Sequence, residues 1–428
     1  MNPRLTRRAA IGGLAGLAAA GLGCARRDPG KDYVRFWSFG REGEVAVELI
    51  QDFLAEHPHI DVEVQKLPLI SLHEKLLTAY AGDTLPDMCQ LGNTWISEFV
   101  ALDALEPLDG LVKTSGVVTR TDYFDGIYDS NLVDAALYGV PWYVDTRLLF
   151  YRRDLLKQAG FDAPPRSWDE WTQMMAAIKA MVGRDRYAAL LPINEYEPLL
   201  VLALQLPDEV LRDGGRFGNF RGADFRRALG YYDQIFKREW APRMSNTQIS
   251  NVWDEFGHGL FSFYISGPWN IAEFKKRLPP QLQDQWMTAP MPGPNGPGVS
   301  SAGGSSLVIF RSSPVKQAAW QLIEYLSRPE TQQRFYQLTG DMPARRSAWQ
   351  LPELARSPYA NAFHQQLDRV RSPPKVPEWE RIGVEMRLAA ERVVQNQRSI
   401  DQAVTDLDRI VDDILEKRRW MLDRRRPT

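Results

Sequence analysis

Residues 33–39, YVRFWSF, alternate in side-chain character and are rich in aromatic and β-branched residues. This pattern predicts a β-strand, and Gly40 ends it. Residues 44–56 then place apolar side chains three and four positions apart, which predicts an amphipathic helix that His57-Pro58 terminates. A second alternating strand follows at residues 60–64. The chain therefore opens as a strand–helix–strand unit.

The same order of elements continues toward the C-terminus. We predict a helix over residues 72–81, a short buried strand over 86–92 and a helix over 95–102. Such a series predicts an α/β protein with a mainly parallel sheet covered by helices on both faces. Ligands of these sheets bind beyond the carboxyl ends of the strands. The loops at residues 40–42 and 93–95 follow strands in this way, so we expect them to face one cleft.

A second α/β unit begins near residue 147, with a predicted strand over 148–151. Ser167-Trp168-Asp169-Glu170 is a capping box that opens a helix over 171–181. The remaining elements comprise a strand at 261–265, a helix at 270–277, a Pro/Gly-rich loop at 288–304, a strand at 306–310, and helices at 315–326, 330–338 and through the last fifty residues.

The N-terminal segment has the composition of an export signal. In residues 1–24 a basic stretch precedes an apolar run over 9–22 that is shorter than the ~20 residues of a membrane span. Arg7-Arg8 resembles a twin-arginine signal, and Gly23-Cys24 resembles the end of a lipobox with Cys24 as the acylated residue. We expect an exported protein, in the periplasm or on the outer face of the cytoplasmic membrane. Residues 25–32 would be a tether if Cys24 is lipidated, and plain cleavage nearby is the alternative.

Composition excludes several functions. The chain has 52 Lys and Arg against 54 Asp and Glu, without the concentrated basic face that a nucleic-acid binder needs. Two cysteines and five scattered histidines predict neither a disulfide scaffold nor a metal site. The sequence has no GxSxG, P-loop or Rossmann fingerprint, and we expect no cofactor and no catalytic residue. Thirteen Trp and fifteen Tyr favour a protein that stacks aromatic rings on sugars.

Several blocks of sequence, in order, resemble one family. They are FWSFGREGE (36–44), LPDMCQLG (85–92), YGVPWYVDTRLLFYRRDLLKQAG (138–160), SWDEW (167–171), FYISGPWNIAEF (263–274), GGSSLVIF (303–310) and AWQLIEYLSRPETQQRFYQLTGDMPARRSAW (319–349). Behind an export signal, this set resembles the extracellular solute-binding proteins of bacterial ABC sugar importers, in the maltose, trehalose and oligosaccharide class.

The resemblance implies a two-lobe periplasmic-binding-protein fold with hinge crossovers and a central ligand cleft. The crossovers would lie near residues 144–147, 289–292 and 327–330. An N-terminal lobe would then comprise residues 33–144 and 290–328, and a C-terminal lobe residues 147–288 and 330–428.

A site for a neutral sugar needs paired carboxylates and amides together with aromatic platforms. The position of these residue types after predicted strands, together with the resemblance, implies ligand contacts from Glu42, Asn93, Thr94, Trp95, Tyr143, Asp145, Trp269, Gly303, Gly304, Ser305 and Arg345. Weaker candidates are Lys66, Asn194, Glu195 and Tyr196. Trp269 would be the main platform and Arg345 a bidentate donor. The plain structural alternatives are core packing for Trp269 and a surface salt bridge for Arg345.

We therefore expect a monomeric substrate-binding component that passes a maltose- or trehalose-like sugar to a membrane permease driven by a separate ATPase. One alternative keeps the fold but binds a polyamine, a peptide or a glycerophosphodiester. The other is a glycoside hydrolase, which also needs acids beside a sugar.

Overall fold

The structure, a computed structural model, describes residues 30–249 and 251–425. The predicted signal peptide, Cys24 and most of the predicted tether lie outside the described residues.

The strands within the described residues are, in chain order, β1 Asp32–Phe39, β2 Ile60–Leu67, β3 Met88–Gly92, β4 Leu132–Val133, β5 Ala136–Leu137, β6 Val140–Val144, β7 Leu148–Arg152, β8 Tyr187–Leu190, β9 Leu211–Arg212, β10 Phe217–Gly218, β11 Phe261–Ser266, β12 Trp286–Ala289, β13 Ser300–Ser301, β14 Gly304–Ile309, β15 Met342–Pro343 and β16 Val370–Arg371.

The described α-helices are α1 Gly40–Leu49, α2 Gln51–Glu56, α3 Leu69–Ala81, α4 Ile96–Ala101, α5 Asp109–Thr114, α6 Asp125–Asp129, α7 Arg153–Gln158, α8 Trp168–Val182, α9 Glu197–Leu204, α10 Ala223–Lys237, α11 Val252–His258, α12 Trp269–Arg277, α13 Lys316–Leu326, α14 Pro329–Thr339, α15 Pro352–Ala355, α16 Ala360–Leu367, α17 Trp379–Val394, α18 Ile400–Ile414 and α19 Glu416–Arg425. None of these described helices combines the length and the apolar character that crossing a membrane requires.

The first lobe is built on a sheet with the strand order β15-β6-β14-β3-β1-β2. β1 pairs in parallel with β2 and with β3, as the opening strand–helix–strand series predicts, whereas β14 returns antiparallel to β3 and β6. Helices cover both faces, so central strands are buried on both sides. Cys89 in β3 is fully buried, and burial raises the pKa of its thiol.

The second lobe is built on a sheet with the order β12-β7-β11-β8. β11 runs parallel to β8 and antiparallel to β7. Helix α8 packs on β8, and its N-cap is the predicted Ser167, whose Oγ accepts from the Glu170 N–H at 3.2 Å. The predicted two-lobe α/β architecture is confirmed. The prediction of a mainly parallel sheet is wrong, because β7, β12, β14 and β15 all pair antiparallel with their neighbours.

The third predicted crossover, at residues 327–330, needs correction. Helix α14 packs against α1, and Phe335 stacks on Trp142 of β6 with the ring centroids 4.4 Å apart. Strand β15 then pairs with β6 in the first sheet. Residues 330–343, which were predicted in the C-terminal lobe, therefore belong to the first lobe.

The chain leaves the first lobe after Trp349, whose ring contacts Phe124 with the centroids 6.2 Å apart. Phe363 on α16 contacts Phe150 of β7 in the second lobe, with the centroids 6.1 Å apart. Beyond α16, β16 pairs in parallel with β13. The chain around β16 touches both lobes. Arg371 Nη1 donates to the Leu204 carbonyl of the second lobe at 2.9 Å, whereas Ser372 Oγ donates to the Gly126 carbonyl of the first lobe at 3.4 Å and Lys375 pairs with Asp129. From there α17 and α18 pack on α10 in the second lobe.

Candidate functional site

A cleft of about 550 Å³ lies between the two lobes, at the ends of strands from both sheets. First-lobe loops after β1 and β3 contribute one wall, as predicted, and the second lobe contributes the other. The lining residues are Phe39, Gly40, Arg41, Glu42, Gly92, Asn93, Thr94, Trp95, Tyr143, Asp145, Arg147, Tyr196, Glu197, Leu200, Trp269, Ser301, Gly303, Gly304, Ser305, Thr339, Asp341, Pro373 and Glu380.

Trp269 supplies a flat aromatic surface to this cleft. It is the first residue of α12, directly after the Gly267-Pro268 turn that ends β11, and its side chain is half-buried. A Cβ on residue 267 would lie 1.8 Å from the Trp269 ring, so only glycine there allows the indole this position. The Arg147 guanidinium lies over the ring, 4.7 Å from its centroid. An indole held in this way can stack on the apolar face of a sugar ring.

Asp145 stands beside Trp269 in the crossover between β6 and β7. Burial raises the pKa of Asp145, the positive charge of Arg147 lowers it, and the nearby Glu197 raises it. An Arg147 N–H donates to Asp145 Oδ1, and the same Asp145 oxygen lies 2.6 Å from where a Cβ of residue 267 would stand. The carboxylate is therefore fixed next to the platform.

A hydrogen-bonded group of side chains lies at the base of the cleft on the first-lobe side. The Tyr143 hydroxyl accepts from Gln90 Nε2 at 3.1 Å and from Ser305 Oγ at 3.1 Å. Glu42 lies close to Tyr143 and Gln90, and burial raises the pKa of its carboxyl. Asp341 lies close by. Burial together with the charges of Glu42 and Asp145 raises its pKa well above the ordinary value. The carboxyl oxygens of these acids lie where the hydroxyl groups of a ligand could bond to them.

The loop after β3 is held firmly by its own contacts. Asn93 Nδ2 donates to Ser130 Oγ at 3.0 Å, and Asn93 Oδ1 accepts from Ser306 Oγ at 2.9 Å. The Trp95 ring packs on His73 with the centroids 5.0 Å apart. Asn93 thus lines the cleft mainly as a support, while Thr94 and Trp95 complete the rim.

The glycines before β14 allow the backbone to approach the crossover closely. Gly304 has φ +140, and a Cβ there would lie 2.2 Å from the Tyr143 carbonyl oxygen. Gly303 accepts the Asp145 N–H at 3.0 Å through its carbonyl. The predicted cluster of residues 303–305 therefore lies against Tyr143 and Asp145 in the cleft.

Four predicted candidates do not line the cleft. Arg345 Nε donates to Asp122 Oδ2 at 2.6 Å and its Nη1 to the Ser327 carbonyl at 2.6 Å, so its guanidinium holds first-lobe segments together. This position does not support the predicted ligand role of Arg345. Lys66 pairs with Glu44. Asn194 and Glu195 both bond to Asn246, whereas the neighbouring Tyr196 does reach the cleft.

Several lining residues were not among the sequence candidates. Arg147 and Glu197 were overlooked although both sit near predicted residues, at the end of the YVDTR block and directly after Tyr196. Asp341 lies in the TGDMP block, four positions before Arg345. Pro373 and Glu380 come from the C-terminal region, where the sequence predicts helices packed on a lobe and gives no signal for the cleft.

Two α/β lobes around a cleft with an aromatic platform, fixed carboxylates and hydroxyl groups define a solute-binding protein. The sequence profile of the bacterial extracellular solute-binding proteins matches residues 37–333, and the chain belongs to this family. Its members bind solutes and are not enzymes, so the glycoside hydrolase alternative is set aside.

Individual proteins agree with this assignment. The chain is 58% identical to the sugar-binding protein MalE of Xanthomonas citri, whose structure superimposes with a TM-score of 0.89 and covers 91% of this chain and 99% of that one. It is 25% identical to a putative binding protein of Brucella abortus over 96% of this chain and 100% of the relative. The diacetylchitobiose binding protein DasA of Streptomyces coelicolor is 22% identical over 78% of this chain and 77% of DasA.

Proposed function

We propose that this protein binds a neutral sugar of disaccharide size, such as maltose or trehalose, and delivers it to an ABC permease. The observation that carries the proposal is the pairing of the Trp269 ring with the Asp145 carboxylate in one cleft. A sugar ring presents an apolar C–H face and a rim of hydroxyls. The Trp269 ring can stack on the apolar face while the Asp145 carboxylate accepts hydrogen bonds from the hydroxyls.

The size and charge of the cleft support this ligand class. A cleft of about 550 Å³ falls within the common range for small-molecule sites and has room for a short saccharide. Arg147 offsets much of the charge of Asp145 and Glu197, because its guanidinium bonds the first and lies 3.9 Å from the second. The clustered carboxylates would repel an anionic solute, which disfavours a glycerophosphodiester. The similarity to the sugar-binding MalE of Xanthomonas citri supports the same class.

The proposed function requires permease subunits and an ATPase as partners. A sugar-loaded binding protein docks on permease subunits in the cytoplasmic membrane, and a separate ATPase drives transport. We propose that the protein acts as a monomer outside the cytoplasm, with Cys24 as a lipid anchor. An anchor would raise its effective concentration near the permease.

Isothermal titration calorimetry against a panel of mono- and disaccharides tests the ligand. Saturable one-to-one binding of a neutral disaccharide is expected, and glycerophosphocholine, spermidine and a tripeptide serve as comparison ligands. Binding of one of these three in place of every sugar would contradict the proposal.

A further inference from the structure

Arg147 lines the cleft and contacts both groups that the proposed function uses. It stands in the crossover between β6 and β7, and its side chain is only 16% exposed. The guanidinium lies over the Trp269 ring and donates to Asp145, so a single side chain touches both the platform and the acceptor.

We infer that Arg147 is a positioning residue that holds the Trp269 ring and the Asp145 carboxylate in register for the same sugar ring. This inference rests on the proposed function. Trp269 follows β11 and Asp145 precedes β7. These strands pair at Ser266 and Leu148, but both residues lie beyond the paired ends of their strands. The guanidinium bridges the two elements.

The chemistry of arginine suits this task. Its planar fork can stack on an indole with one face while its edge donates to a carboxylate, whereas a lysine ammonium has no plane that fixes both contacts in one orientation. Glu197 Oε1 lies 3.9 Å from Nη2, while Nη1 donates to Asp145, so two nitrogens of the guanidinium have acidic partners. With the guanidinium over one face of the indole, stacking by the sugar would use the other face.

Arg147→Lys and Arg147→Gln test the inference, with sugar affinity measured by calorimetry. We expect affinity to fall about tenfold to a hundredfold in Arg147→Gln, the scale of losing a charge-assisted contact, and to fall by an intermediate factor in Arg147→Lys. Arg152→Lys is the matched control. Arg152 is also buried and lies five residues away in β7, but it bonds to Asp154 and to the carbonyls of Phe256 and Gly257. The control should lose thermal stability and keep sugar affinity.

A double-mutant cycle separates positioning from a general structural role. If Arg147 acts through Trp269, the loss caused by Arg147→Gln should be several-fold smaller in a Trp269→Ala background, because the platform is already gone. Equal losses in both backgrounds would overturn action through Trp269.

The pH profile provides a second readout. Removing the positive charge at position 147 lets the pKa of Asp145 rise, so Asp145 becomes protonated, and stops accepting, at a higher pH than in the wild type. Sugar affinity of Arg147→Gln should therefore decline on acidification from a higher pH. The charged groups that act on or respond to Asp145 are Arg147, Glu42, Glu195, Glu197 and Asp341.

The results distinguish a failure of the positioning role of Arg147 from a failure of the proposed function. Sugar binding by the wild type with unchanged affinity and pH profile in both Arg147 variants overturns the positioning role alone. A wild type that binds no saccharide in the panel overturns both the positioning role and the proposed function.

Discussion

Thr94 and Glu380 face each other across the cleft from different lobes, and Thr94 Oγ1 donates to Glu380 Oε1 at 2.5 Å. Thr94 follows β3 of the first sheet, whereas Glu380 is in the first turn of α17, which packs on α10 of the second lobe. Burial raises the pKa of Glu380, and the Thr94 hydrogen bond opposes this shift. The contact joins the two walls beside the ligand site.

Thr94→Val should weaken this contact between the lobes. Valine keeps the shape but removes the hydroxyl, so the open form should gain population and the sugar should bind up to about tenfold more weakly. Small-angle scattering of the ligand-free variant should give a larger radius of gyration than the wild type. Thr405→Val is the control, because the Thr405 hydroxyl bonds to Asp401 O within α18. Identical scattering and affinity in Thr94→Val would show that the hydrogen bond does not hold the lobes.

Sugar binding should make the wild-type protein more compact. The lobes are connected by crossovers at residues 145–147, between β12 and β14 and between β15 and α16, and a ligand that contacts both walls favours the closed arrangement. Scattering with saturating sugar should therefore give a smaller radius of gyration. A profile that does not change with saturating ligand would contradict hinge closure.

Trp269→Ala should remove the aromatic platform. We expect a loss of about 1–3 kcal/mol in sugar binding, the scale of the buried area and stacking of one indole. Calorimetry at constant temperature measures the change, with circular dichroism to confirm the fold. Trp420→Ala is the control, since Trp420 on α19 is 54% exposed and does not line the cleft. Equal affinities for the two variants would refute the platform role.

Arg345→Ala should act on stability and leave sugar affinity unchanged. The substitution leaves Asp122 without its guanidinium partner in a half-buried position, and the expected loss is about 2–4 kcal/mol of unfolding free energy. Thermal unfolding measures the loss of stability, and titration calorimetry on the folded variant measures the sugar affinity. A loss of sugar affinity in folded Arg345→Ala would restore the ligand role that the sequence predicted.

Asp341→Asn should stabilise the ligand-free protein in a pH-dependent way. The pKa of Asp341 is raised in the folded state, so its ionised form destabilises the fold above that pKa, and the penalty disappears as the pH falls toward the unfolded value. The melting temperature of the variant should exceed that of the wild type by about 2 °C or more at pH 8, and the difference should shrink at pH 5. Asp413→Asn, at a side chain 75% exposed, should show no such trend. A constant difference across pH would argue against a buried, ionising Asp341.

Much of the fold was predictable because its signals are local. Alternation in residues 33–39 and the amphipathic spacing after it depend only on neighbours, and the structure has β1 and α1–α2 at these places. The boundary of the first lobe was not predictable in this way. The pairing of β15 with β6 and the stacking of Phe335 on Trp142 join residues about two hundred positions apart, and no local pattern encodes such contacts.

The same distinction between local signals and distant contacts applies to the residues of the candidate site. Residues directly after strands, such as Glu42 and Trp95, line the cleft because strand ends converge at one edge of a sheet. Glu380 reaches the cleft only because α17 packs back across the second lobe. The ligand role was wrongly assigned to Arg345 because the sequence shows only a charged residue at this position. It cannot show that Asp122, 223 residues away, pairs with that charge.

The buried thiol of Cys89 has a practical consequence for measuring these motions. A thiol with 0% exposure and a raised pKa reacts slowly with maleimides, so it needs no replacement before labelling. A cysteine introduced at an exposed rim position, in protein that begins after Cys24, would then carry a single fluorophore. Such a conjugate would turn lobe closure into an optical signal and make the protein a reagentless sensor for its own ligand.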